Sequence, residues 1–202
     1  MNKKNKKKLK GGGGVMGKIN KKVFTKFVNN KELSLTRDGF ICNGNWAVKK
    51  EILDSALNGI NYQISKEGIT SIVALMTQDF MFGLSFLDEL LTRVDKELSY
   101  YDNVKFKEIK KDNIQYLAVD NIYELKNYAI NKIYFDTIQK MLGKKVKPRI
   151  LRIDYIFYYR DKKWNGPIKK IDKETFIFFV WTEGNSDDLS KLLAVCKPSE
   201  LK

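Results

Sequence analysis

The chain has 202 residues, 43% of them apolar and 12% aromatic, which is enough to bury a core and excludes an intrinsically disordered chain. It holds no histidine and only two cysteines, Cys42 and Cys196, so an imidazole base, a His-ligated zinc site and a four-thiolate cluster are excluded within one chain. Lysine and arginine number 38 against 24 aspartate and glutamate, a net charge of +14, and such an excess favours anionic partners, nucleic acid first.

The excess is concentrated at one end. Residues 1–31 hold eleven lysines and no acid, whereas residues 32–202 hold 27 bases and 24 acids. A block of like charge reads either as a solvated tail or as an arm that neutralises phosphates. Within it, Gly11 to Gly14, Val15 and Met16 follow Lys10. Four consecutive GGN codons resemble a translated ribosome-binding site set ahead of a start at Met16. Residues 1–15 are therefore expected to be a disordered Lys/Gly tail or a mis-called extension, and residues 16–202 one globular domain, any subdivision falling near 100–120. Without residues 1–15, 32 bases face 24 acids, a net +8.

Val23, Phe24, Phe27 and Val28 share one face of a short helix. The Asp38-Gly39 and Asn43-Gly44 dipeptides predict hairpin turns with both central residues at positive φ, between strands at about 34–37, 40–42 and 45–48. Lys49 to Asn58 predicts a helix stopped by Asn58-Gly59. Ile60 to Ile64 and Ile69 to Met76 predict strands around a Glu67-Gly68 turn, and Phe80 to Phe86 a continuation of the sheet. Phe86, Leu87, Leu90, Leu91, Val94 and Leu98 describe a helix face. Strands are expected at 104–110 and 115–119, and a helix from about 122 to 142, with Asn121 and Glu124 matching a capping box. Ile150–Tyr159 and Phe176–Trp181 predict aromatic strands on either side of an Asn165-Gly166-Pro167 turn. Ser186 to Cys196 predicts a last helix, closed by Pro198. The expected class is α+β: antiparallel sheets of short hairpins with three to four packed helices.

The longest acid-free basic run in the body is Lys140, Lys144, Lys145, Lys147, Arg149 and Arg152. It starts at a helix C-terminus, where cations also answer the dipole. Beside it lie Tyr155, Tyr158, Tyr159 and Trp164, aromatics able to stack on bases while the cations hold the backbone, although aromatics in a strand also serve as core. These six cations are the candidate nucleic-acid contacts. Asp88, Glu108 and Lys110 imitate the D…(D/E)-x-K pattern of a metal-dependent nuclease, but E-x-K and D-x-K recur at Glu124–Lys126 and Asp161–Lys163 in this lysine-rich chain. No P-loop, GxGxxG or GxSxG is present, and no cofactor is expected. No stretch approaches the roughly 18–20 apolar residues of a spanning helix, so no membrane partner is expected. Two lone cysteines and no apolar leader make the cytoplasm the expected compartment.

Lys50-Glu51-Ile52-Leu53-Asp54-Ser55-Ala56-Leu57, then Tyr62 to Ile69 with its Glu67-Gly68-Ile69 turn, then Ala74-Leu75-Met76, resemble the opening of a DNA sliding-clamp domain. Thr77 stands where that family often has Asp. The resemblance covers residues 49–76 and implies a ring-like DNA tether. The expected function is thus a binding protein for DNA or RNA or a nucleoprotein complex. The alternatives are a protein-binding accessory or inhibitor of phage or mobile-element type, and a metal-dependent nuclease.

Overall fold

A computed structural model describes residues 17–29, 31–68, 70–76, 91–143, 145–159, 169–182 and 189–201. In chain order the elements are α1 (Lys21–Val28), β1 (Leu33–Leu35), β2 (Phe40–Cys42), β3 (Trp46–Lys49), α2 (Lys50–Leu57), β4 (Ile64–Glu67) and α3 (Ile72–Met76). After these come β5 (Leu91–Tyr101), β6 (Phe106–Lys111), β7 (Ile114–Val119), β8 (Tyr128–Asn131), α4 (Lys132–Leu142), β9 (Pro148–Tyr159), β10 (Lys169–Thr182), β11 (Leu192–Cys196) and β12 (Ser199–Glu200). One sheet has eight strands in the order β4-β1-β2-β3-β11-β10-β9-β5, and the other has four in the order β12-β8-β7-β6. The large sheet is mixed, because β1 pairs parallel with β4 while its other pairings are antiparallel.

This architecture corrects the expected α+β class of short hairpins with packed helices. Strands dominate: β5, β9 and β10 run 11, 12 and 14 residues, while the described α-helices have 8, 8, 5 and 11. Two segments read as helical are strand where they are described, and a third is helical only in its second half. Val94 and Leu98 are four apart, a spacing common to a helix turn and to one face of a strand. Pairing with β9 decides for the strand. Leu192 to Cys196 is a continuous apolar run because β11 lies between β3 and β10, with core on both faces. The stretch expected as one helix from 122 to 142 divides into a 3-10 turn at Tyr123–Leu125, β8 and α4. Asn131, not Asn121, caps α4, accepting from the Ile133 amide at 2.9 Å.

The opposite error falls at α3, expected as a strand. The Asp38 carboxylate, on the β1–β2 turn, accepts from the Ile72 amide at 3.0 and 3.1 Å and also from Thr36 Oγ1 at 2.6 Å. A side chain 34 positions away thus caps α3, a signal that local propensity cannot carry. The hairpin turns also differ in type. Gly39 and Gly44 take φ 82°, but Asp38 and Asn43 are not among the residues with positive φ. The turn with two left-handed central residues is Asp112-Asn113, at φ 48° and 63°, joining β6 to β7. The expected strand at Phe80–Phe86 and the turn at Asn165–Pro167 lie outside the described residues.

The large sheet has a core on each face. Ile41, Val48, Ala194, Cys196, Phe179, Trp181 and Ile150 face α1, α2, α4 and the small sheet. Phe40, Cys42, Ala47, Val195, Phe178, Val180, Leu151 and Ile153 face α3 and Leu189. Cys42 and Cys196 therefore lie on opposite faces, buried and free. Burial pushes the Cys42 thiol up to about 11 and that of Cys196 well above its ordinary value. No described helix is long and apolar enough to cross a membrane.

Candidate nucleic-acid interface

The six candidate cations have different fates. Lys144 lies outside the described residues, while Lys140, Lys145 and Lys147 are exposed at the C-terminal end of α4 and the loop beyond it. Gln139 shapes that loop. Its amide nitrogen donates to the Gly143 and Val146 carbonyls at 2.8 and 2.7 Å, and its oxygen accepts from the Trp181 indole at 3.0 Å. The loop backbone is thereby tied to a fully buried ring.

The two arginines enter β9 and are engaged in ion pairs. Arg149, its side chain 11% exposed, donates from Nε and a terminal nitrogen to the two Asp102 oxygens at 2.6 and 3.2 Å. Its guanidinium also lies 4.2 Å over the Tyr100 ring. Arg152 Nε contacts both Asp154 oxygens at 3.1 and 3.0 Å. Asp154 is 5% exposed and accepts further from Thr175 Oγ1 at 2.6 Å and Lys173 Nζ at 3.0 Å. Burial alone would raise the Asp154 carboxyl, but the bonds from Thr175, Lys173 and Arg152 outweigh it and hold it below the usual carboxylate range. Tyr101 and Asp154 in turn hold the Arg152 guanidinium up. This is a satisfied structural network on the central strands.

The aromatic strand is core more than platform. Tyr155 is 9% exposed and meets Phe176 edge-on at 5.8 Å, and the Tyr158 ring is covered by Arg93 at 4.2 Å. Trp164 lies outside the described residues. So does Asp88 of the nuclease pattern. Glu108 and Lys110 do share a face of β6, as alternation predicts, but Glu108 bonds Lys132 Nζ at 3.1 Å. Among the described residues no group of three acidic, Cys or His side chains could hold a metal ion.

A second set of lysines joins the exposed ones, from the basic block at residues 1–31 that reads as a solvated tail or as a phosphate-neutralising arm. Lys18, Lys21, Lys22 and Lys26 are exposed on α1 and the residues leading into it. The Gly17 amide donates to the Lys140 carbonyl at 3.0 Å, and a Cβ on Gly17 would sit 2.6 Å from Lys140 Cγ. The entry to α1 therefore lies directly on the end of α4. The Ile19 amide donates to Ala56 of α2 at 2.9 Å, so three helices share one layer over the sheet. Two acids of that layer are occupied, Asp54 by Lys50 at 2.5 Å and Asp136 by Lys132 at 3.3 Å, while Glu51 of α2 is exposed. The signal for the α1 lysines was legible, since the apolar spacing 23, 24, 27, 28 turns positions 21, 22, 25 and 26 outward. No family model, curated protein or solved structure matches the chain.

Proposed function

We propose that the protein is a cytoplasmic binding protein that docks on nucleic acid or a nucleoprotein complex through the outer surface of α1 and the C-terminal end of α4. The observation that carries this reading is the exposure of Lys18, Lys21 and Lys22 at an entry to α1 that Gly17 ties to the exposed Lys140 at the end of α4. Lys21 and Lys22 occupy the first turn of α1, which has no acidic residue. Cations there oppose the helix dipole and cost roughly 0.3–1 kcal/mol each. Helix stability does not favour lysine at these positions, whereas a polyanion does. Lys145 and Lys147 extend the same charge beyond α4. Arg149 and Arg152 serve the fold. The resemblance of residues 49–76 to a sliding-clamp domain is in keeping with helices as the DNA-facing layer, although α2 itself carries Glu51 and Asp54.

Binding of labelled DNA and RNA, single- and double-stranded, across a salt series tests the reading. If about four lysines meet phosphates, log K falls against log salt with a slope of about −3 to −4. The variant Lys21→Gln/Lys22→Gln/Lys140→Gln is expected to lose about two to three units of that slope. Failure to bind at every salt concentration would favour a protein partner instead.

A further inference from the structure

The eight-stranded sheet ends at β5, and no described strand pairs with its outer edge. Residues 93–99 are exposed or half-buried on both faces along this 11-residue strand. Val94 and Leu98, each 40% exposed, lie on the face shared with Phe157 and Ile153 of β9. An edge that no described strand covers offers its N–H and C=O groups to another strand. On the other face, Arg93 reaches Asp95 Oδ2 at 2.7 Å, with both side chains well exposed.

We propose that β5 is a self-association edge, on which a second copy of this chain pairs antiparallel about a twofold axis at Val94. In such a pair opposed residues lie on the same face, so the axis must pass through a residue. An axis at Lys96 opposes Lys96 to itself and Asp95 to Glu97 twice. Axes at Asp95 and Glu97 oppose like carboxylates. An axis at Leu98 brings no opposite charges together. An axis at Val94 sets Val94 on Val94 and places Arg93 of each copy opposite Asp95 of the other. The two intrachain pairs then merge into one row of alternating sign, and two exposed valines cover each other. The occupant is a second copy because the strand is complementary in charge to itself.

Sedimentation velocity on the full chain over a dilution series is the test. The wild type is expected to dimerise reversibly. Arg93→Asp and Asp95→Arg are each expected to weaken association about tenfold or more, because each creates two like-charge contacts. An equimolar mixture of the two variants is expected to restore association, since each reversed charge then meets its opposite. Circular dichroism on each variant establishes that the fold is retained. A wild type that stays monomeric at every soluble concentration overturns the proposal. A dimer that both variants retain overturns it too, assigning the contact to another surface, and so does a mixture that fails to associate.

Discussion

The two ends of one basic run differ in what their charges do. On α4 and its loop, Lys140, Lys145 and Lys147 stand in solvent. Nine and twelve positions after Lys140 the chain is strand β9, and there Arg149 and Arg152 sit 11% and 27% exposed against aspartates. A strand flanked on both sides cannot present a cation without a partner, because the same residues must also cover the sheet. Along a helix, outward positions recur without that demand. Charge density in sequence therefore counts as surface charge only after the element type is known.

Removal of the strand network should have the largest effect. Asp154→Ala removes the buried carboxylate on which Arg152, Lys173 and Thr175 converge and should cost about 3 kcal/mol in urea unfolding. A loss below about 1 kcal/mol would erase the distinction between the two ends. The same group predicts an acid dependence. Its carboxyl titrates lower in the folded than in the unfolded chain. Its contribution is complete above the unfolded value of about 4 and is lost as pH falls through the folded value. Stability measured downward from pH 5 should fall, and Asp154→Asn should flatten that fall.

Gln139→Ala should cost about 1–3 kcal/mol, since the Trp181 indole and two loop carbonyls lose their partner. Arg149→Ala should cost about 1–2 kcal/mol and leave nucleic-acid affinity and its salt slope unchanged. The smallest stability effect has the opposite sign. Lys21→Glu should raise helix stability by a few tenths to about 1 kcal/mol while lowering affinity. A variant that weakens both would show that Lys21 supports the fold.

Much of the first half of the fold was legible. The α1 face, β2, β3, α2 and its Asn58 stop follow directly from spacing and turn chemistry, because their contacts are local. β5, β8 and β11 were not, for a shared physical reason. Their identity is set by partners far along the chain, and four-residue apolar spacings such as Val94 to Leu98 satisfy both periods. α3 fails in the other direction, through Asp38. At the candidate interface, the exposure of Lys140, Lys145 and Lys147 was foreseeable at a helix end. The engagement of Arg149 by Asp102 was not, since Asp102 becomes a neighbour only when β5 and β9 align, whereas Asp154 stands two residues from Arg152 on one face of the strand expected there.

The Gln139 amide joins the loop after α4 to the indole of Trp181, which is fully buried. Any ligand that draws on Lys145 or Lys147 pulls on the same backbone that Gln139 holds. The path from that backbone to the indole runs through one side chain. The share of intrinsic emission that Trp181 contributes thus offers a label-free optical readout of events at this corner, and Trp181→Phe should remove it while keeping the bonds from Gln139 to the loop.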